Sequence, residues 1–153
     1  MANIKKHAIK KIKKSTGFCK AGRKVLKKKL KNVIKLINAF LIDDSVENLH
    51  SMRIGIRRFR YVMEIFYYCF EPESYQYVYN KAKELQDFVG EGRDLDVLGD
   101  KIKLVEDEEN IKIPENFFSR IDEDRIKVRQ LIKLELIKFI ENKEVNNFLT
   151  KTK

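Results

Sequence analysis

The sequence lacks any apolar run of about 18 or more residues, the length that a membrane-spanning helix requires. Its N-terminus is rich in lysine but has neither the uninterrupted apolar stretch nor the small-residue cleavage site of a secretory signal peptide. We therefore expect no membrane span and a cytoplasmic protein. Prolines and glycines are also scarce, with 2 and 6 in 153 residues, and this scarcity favours a folded, helix-rich chain of one domain.

Cysteine is equally scarce. Cys19 and Cys69 are the only two, and their spacing matches neither a metal-binding motif nor a disulfide framework. We expect two reduced, structural thiols, as in a cytosolic protein. The sequence likewise contains no cluster of acids typical of a metal site and no motif for a cofactor, so neither a metal nor a cofactor is predicted.

Acidic residues are absent from the beginning of the chain. The first 42 residues carry 14 of the 33 lysines and arginines and none of the 23 aspartates and glutamates. The remainder is slightly acidic, although the whole chain has a net charge of +10. A basic segment joined to a nearly balanced body is typical of proteins that contact a polyanion. Nucleic acid, anionic lipid and a phosphate polymer all fit this charge distribution.

The chain does contain a succession of amphipathic segments, and none alternates polar and apolar residues as a strand would. The spacing of apolar residues predicts an all-α fold, an antiparallel helical bundle of about five helices. We place a basic tail at residues 1–17 and a single helical domain at 18–150. Gly90-Glu91-Gly92 is predicted to be a tight connection. The predicted helices cover about 20–42, 46–70, 74–89, 93–108 and 115–141, with a shorter piece to 149, and Ser45 is predicted to begin the second of them.

Residues 50–60 carry a concentration of cationic side chains. On a helix that advances about 100° per residue, one histidine and three arginines fall on a single face about 80° wide. They are His50, Arg53, Arg57 and Arg60. Like charges at this spacing repel one another, so the face requires an anion to answer it, and the planar fork of arginine matches phosphate or carboxylate. An apolar sector borders the face, and we therefore expect the cations to form the wall of a groove.

Two stretches resemble, in order, the signature motifs of the CHAD domain, the conserved histidine α-helical domain. The first is His50-x-x-Arg53-x-x-x-Arg57-Arg58-x-Arg60, and the second is Gly92-Arg93-Asp94-Leu95-Asp96-Val97-Leu98. The resemblance implies an all-α fold and the binding of inorganic polyphosphate through basic residues that line a central groove. Association with polyphosphate granules is then an option for the location of the protein.

The resemblance supplies most of the candidate site residues. We expect polyphosphate to be bound, without catalysis, by the matched basic residues: His50, Arg53, Arg57, Arg58, Arg60 and Arg93. A lysine stripe on the first helix is either a solvated face or the opposing wall of the groove, and it completes the candidate set: Lys24, Lys28, Lys31 and Lys35. Asp94 and Asp96 are expected to orient arginines, and pairing with one of these acids is the alternative role for Arg58.

The resemblance is to a single-bundle or half-length member. Family members commonly carry two pseudo-symmetric helical bundles, whereas this chain supplies one. A homodimer is one way to rebuild a two-bundle groove, because an isologous pair mimics an internal duplication. A weaker stripe at Arg125, Arg129 and Lys133, interspersed with acids, is interpreted as mostly structural.

Three other functions stay open. Tyrosines such as Tyr61 and Tyr68 beside the arginines suit a nucleic-acid-binding module, although a tyrosine at the edge of a bundle is the commoner case. A metal-dependent phosphohydrolase requires Asp94 and Asp96 to hold a divalent ion, but arginines surround these two acids. Binding of residues 1–35 to a membrane surface is a weaker hypothesis, because aromatic anchors are scarce there.

Overall fold

The computed structural model of the chain describes residues 16–148. Its helices are α1, Phe18–Ile42; α2, Val46–Ile65; α3, Pro72–Glu108; α4, Glu115–Glu141; and the short α5, Lys143–Asn147. A 3₁₀ turn, Tyr67–Cys69, links α2 to α3. The prediction of an all-α bundle of about five helices is confirmed, and these residues contain no β-strand. Most of the predicted basic tail, at 1–15, lies outside the described residues.

Local signals set two of the helix ends. Ser45 caps α2, as predicted, because its hydroxyl accepts a hydrogen bond from the backbone N–H of Asn48 at 3.4 Å. Helix α3 ends in a left-handed turn in which Asn110 has a φ of 50°. There the N–H of Ile111 donates to the carbonyl of Glu106 at 3.2 Å, which satisfies one of the last carbonyls of the helix.

Helix α2 ends at Ile65, whereas the apolar pattern predicted a helix to about residue 70. Cys69 and Phe70 are buried in the core although they follow the end of the helix. Because these two residues are buried, the apolar spacing continues beyond Ile65, where the helix itself ends. Spacing alone therefore places the end of the helix too late. Pro72 then begins α3 at a position where its missing N–H costs nothing.

The apolar faces of the helices meet in one core. α1 packs against α2, α2 against α3 and α3 against α4, while α5 packs on α3 and α4. α1 and α4 touch only over a small area. The largest fully buried side chains include Phe40, Phe59, Phe70 and Phe148, and the last two rings stack with centroids 4.6 Å apart. Within the described range every helix is too short or too polar to span a membrane.

Helix α3 runs without interruption through Gly90, Glu91 and Gly92, so the predicted tight connection is wrong. Neither glycine has a positive φ. Gly92 has a packing role instead, because a Cβ atom there would lie 2.6 Å from Cδ1 of Ile132 and 3.4 Å from Cδ2 of Leu49. The glycine lets α2 and α4 approach α3 closely. The segments predicted as two helices, at 74–89 and 93–108, are therefore one.

The prediction of two reduced thiols is also wrong. Cys19, near the start of α1, and Cys69, in the 3₁₀ turn, form a disulfide with Cα atoms 5.2 Å apart. The two cysteines are 50 positions apart in the sequence, and only the pairing of α1 with α2 brings these ends of the hairpin together. The bond fastens the start of α1 to the connection that leads into α3.

Candidate functional site

Arg60 fixes one face of α2 against α3. Its Nη1 donates to Oε1 of Gln86 at 3.0 Å, and its Nη2 donates to the hydroxyl of Tyr79 at 2.6 Å. The Tyr79 hydroxyl donates in turn to Oε1 of Glu64 at 2.7 Å, and that carboxylate lies 3.8 Å from Nη2 of Arg60. The Arg60 side chain is only 13% exposed. Arg60 therefore joins the two helices, and its role in binding polyphosphate stays a prediction.

Two contacts set the register between α2 and α3. Leu49 packs beside Gly92, and Arg60, further along α2, bonds residues that come earlier in α3. The two helices are therefore antiparallel. At about 1.5 Å per residue, this register places Arg53 level with Gly90.

Gly90 and Arg93 lie on the face of α3 that turns toward Arg53. They follow Gln86 by 4 and 7 positions, so all three share one side of the helix. The space at Gly90 is open, because a Cβ atom built there would have no neighbour within 4 Å. Arg93 is half-buried, and the register puts His50 at its level. Cationic side chains of α2 and of α3 thus lie on the same side of this helix pair.

We call His50, Arg53, Arg57 and Arg93 the arginine face. His50 and Arg57 are exposed, whereas Arg53 and Arg93 are half-buried. Within residues 16–148, none of these four side chains forms a hydrogen bond or an ion pair. Glu64, which helical spacing placed nearby, is bonded elsewhere. The face therefore keeps a positive charge without internal neutralisation, and its guanidiniums supply that charge at any physiological pH.

The second cationic stripe, on α4, is neutralised by the protein itself. Arg125 and Arg129 both donate to Oδ1 of Asp96 at 3.1 Å, and Arg129 also donates to Oδ2 at 3.0 Å. Nζ of Lys133 lies 2.7 Å from Oδ2 of Asp44, and this bond lowers the pKa of Asp44. Each cation of this stripe has a carboxylate partner. The α4 stripe thus differs from the arginine face, whose cations have no carboxylate partner within residues 16–148.

Comparison with known protein families identifies the family of the chain. Residues 10–103, more than half of the 153, match the model of the CHAD domain. The chain belongs to the CHAD domain family. Comparison with curated proteins and comparison with solved structures gave no match. CHAD domains are linked to polyphosphate-related proteins. The match contains the whole arginine face and ends before α4.

The lysine stripe lies on another side of this CHAD domain. Gly55 packs against α1, since a Cβ atom there would lie 2.5 Å from Cδ1 of Leu36. On α2, Gly55 is about 160–200° away from Arg53 and Arg57, so α1 lies on the side opposite the arginine face. The stripe follows the outer side of α1, opposite its buried residues: Lys24, Lys28, Lys31 and Lys35. The stripe therefore lies apart from the arginine face, and its binding of polyphosphate stays a prediction.

Arg58 and the two predicted orienting acids are separated in the structure. Arg58 is exposed on the side of α2 that turns toward α1, and it pairs with neither Asp94 nor Asp96. Asp96 is buried beneath the arginines of α4, whereas Asp94 is exposed. No group of three or more His, Cys, Asp or Glu side chains in the described part of the chain is placed to hold a metal ion. The spacing of the α4 arginines was visible in the sequence, but the sequence did not show that they share Asp96 as their partner.

Two tyrosines extend the α3 side of the site. Tyr75 and Tyr79 stack with ring centroids 5.7 Å apart, and the guanidinium of Arg60 lies 4.8 Å from the centroid of Tyr79. Burial raises the pKa of Tyr75 to about 12, so its phenol stays neutral well above physiological pH. Sequence reasoning missed Tyr79 and Gln86, because their role as acceptors for Arg60 depends on the register of α2 and α3.

Proposed function

We propose that this CHAD domain binds inorganic polyphosphate along the arginine face without converting it chemically. The observation that carries the proposal is the difference between the two cationic stripes. The stripe on α4 is matched by acids of the protein, whereas Arg53, Arg57 and Arg93 have no such partner in residues 16–148. Uncompensated guanidiniums on two facing helices suit a ligand with many equivalent anionic groups.

A phosphate polymer fits this surface better than a single phosphate does. An exposed ion pair contributes only about 0–1 kcal/mol, but a partly desolvated bidentate arginine–phosphate contact contributes on the order of 1–3 kcal/mol. Successive phosphate units can meet Arg53, Arg57 and Arg93 in turn along the arginine face. Release of counterions, as described for nucleic acids, adds a favourable term that falls as salt rises. Affinity should therefore increase with polymer length and decrease with ionic strength.

The acids near the site favour binding over hydrolysis. Asp96 is committed to Arg125 and Arg129, so Asp94 is the one member of the predicted pair that is exposed to solvent. A two-carboxylate metal site at these positions would require both arginines to release Asp96 and would leave the charge of Arg129 buried without a partner. We therefore expect no phosphate release when the protein is incubated with polyphosphate and magnesium or manganese.

Binding of length-defined polyphosphate to the wild type and to Arg53→Ala/Arg57→Ala tests the proposal. We expect the double variant to bind a long polymer at least tenfold more weakly, a loss of about 1.4 kcal/mol. Lys112→Ala/Lys143→Ala is the matched control, because it removes the same charge from exposed positions away from the arginine face. A loss of less than threefold in the arginine variant, or equal affinity of the wild type for pyrophosphate and the long polymer, would contradict the proposal.

Exposed aromatic side chains favour one alternative, a nucleic-acid-binding module. Tyr61 and Tyr68 are both exposed, and helical spacing places Tyr61 next to Arg57. Such rings can stack on the bases of a single strand. Competition between polyphosphate and single-stranded RNA at equal phosphate concentration separates the two functions. Displacement by RNA that is lost in Tyr61→Ala would favour the nucleic-acid reading.

A further inference from the structure

The end of the α3–α4 hairpin projects beyond the rest of the bundle. α3 has 37 residues and α2 has 20, so α3 is about 25 Å longer. Since Leu49 is level with Gly92, α2 begins close to the level of Asp96, and the hairpin continues past that point without α2 beside it. We call residues 97–120 the arm. None of its residues is buried.

The arm exposes apolar side chains on both of its helices. Leu98, Ile102 and Val105 recur at spacings of 4 and 3, so they share one face of α3. The bond between Arg125 and Asp96 sets the register of the hairpin, and this register brings Phe117 of α4 close to the level of Val105. Leu98, Val105 and Phe117 are 41%, 46% and 42% exposed. A protruding hairpin with this much uncovered apolar surface is typical of a protein contact.

Charge changes sign along the arm. Four consecutive acids, Glu106–Glu109, lie at its tip, where the last turn of α3 ends. Lys101, Lys103 and Arg120 lie closer to the bundle. No ion pair within the described residues joins these cations to the acids of the tip. Two identical arms placed side by side in opposite directions would bring each acidic tip against the cations of the other.

We propose that the arm is a self-association surface that pairs, antiparallel and two-fold symmetric, with the arm of a second copy of this chain. The apolar side chains of the two arms meet at the centre of the contact. The acidic tip of each arm lies against the cations at the base of the other, which gives two equivalent sets of charge contacts. Because each arm is a short two-helix hairpin, the contact buries an area at the lower end of the range for specific interfaces, and we expect a weak dimer. The arm lies beyond the start of α2, so this pairing leaves the arginine face uncovered. Self-association through the arm can therefore be tested independently of polyphosphate binding, the proposed function.

Charge reversal tests the pairing directly. Lys101→Glu/Arg120→Glu makes the base of the arm acidic, and Asp107→Lys/Glu108→Lys/Glu109→Lys makes its tip basic. We expect each variant to be monomeric alone, because tip and base then repel, and an equimolar mixture of the two to form a heterodimer. Sedimentation velocity over a concentration series at low salt is the measurement. All five changed residues are exposed, and circular dichroism checks that each variant is folded.

The apolar part of the surface has its own test. Leu98→Ser/Val105→Ser should shift the wild-type dimer to monomer. Ile126→Ser removes an exposed isoleucine of α4 outside the arm and should leave the dimer intact. A wild-type protein that stays monomeric at every concentration overturns the proposal. A dimer that survives both charge reversals, or a mixture that fails to associate, overturns it equally.

Discussion

Arg129 of α4 donates from Nη2 to both carboxylate oxygens of Asp96 in α3, at 3.1 and 3.0 Å. Its Nε donates to the backbone carbonyl of Asp44 at 3.1 Å, in the connection between α1 and α2. One side chain thus ties α4 to α3 and to the connection between α1 and α2. The Asp96 side chain is 2% exposed, so its charge depends on the arginines around it.

Removal of Asp96 should therefore be costly. Asp96→Ala leaves Arg129 buried without its carboxylate, and we expect a loss of about 3–5 kcal/mol in the free energy of unfolding. Asp94→Ala, two positions away but exposed, is the matched control and should change stability by less than about 0.5 kcal/mol. Urea denaturation of both variants measures the difference. Similar losses in the two variants would show that the buried carboxylate is not the important group.

The two glycines of α3 should respond in opposite directions to alanine. At Gly92 a Cβ atom would lie 2.6 Å from Ile132, so Gly92→Ala should destabilise by about 1–3 kcal/mol. At Gly90 the space is open and the backbone helical, so Gly90→Ala should stabilise by about 0.5–1 kcal/mol. Thermal unfolding distinguishes the two outcomes. A destabilised Gly90→Ala would indicate that the backbone there is not a continuous helix.

The same glycines show where sequence reasoning succeeds and where it stops. The bounds of α4 and the cap at Ser45 were predicted closely, because apolar spacing and capping residues act locally. Gly90 and Gly92 were read as a turn, because glycine has two uses in a helical protein, a flexible connection and a close approach. Only the position of Ile132 and Leu49 decides between the two, and that position is a property of the fold.

The candidate site likewise has features that the sequence predicts and features that it does not. Spacing along one helix was enough to place Arg53 and Arg57 on a common face. It was not enough to distinguish them from Arg60, which has the same spacing but finds acceptors on α3. The acceptors for Arg60, and the position of Arg93 relative to α2, follow from the register between the helices. No pattern within a single segment contains that information.

The disulfide should make stability depend on redox state. Cys19 and Cys69 close a loop with a sequence separation of 50, and the loss of chain entropy in the unfolded state corresponds to about 4 kcal/mol. We expect urea denaturation of the wild type to shift to lower concentration when a reductant is added. The variant Cys19→Ala/Cys69→Ala should show no such shift. Two titratable thiols in the folded, unreduced wild type would contradict the pairing.

The pair formed by Asp44 and Lys133 predicts a specific titration. Nζ of Lys133 lies 2.7 Å from Oδ2 of Asp44, and its hydrogen bond and charge lower the pKa of that carboxyl below its usual value. Because the folded pKa is depressed, the pair contributes stability above the unfolded pKa and loses it as pH falls through the folded pKa. The contribution is small, since solvent reaches both side chains.

A change at Lys133 isolates this effect without altering the carboxyl itself. In Lys133→Met the pKa of Asp44, followed by NMR of its side-chain carboxyl carbon, should rise toward the usual value. Lys127→Met removes an exposed cation from the same helix and should leave the Asp44 titration as it is in the wild type. If Lys133→Met also leaves the Asp44 pKa unchanged, the lysine does not hold the carboxylate in solution. The α4 stripe would then carry an uncompensated charge at Lys133, and the contrast with the arginine face would weaken.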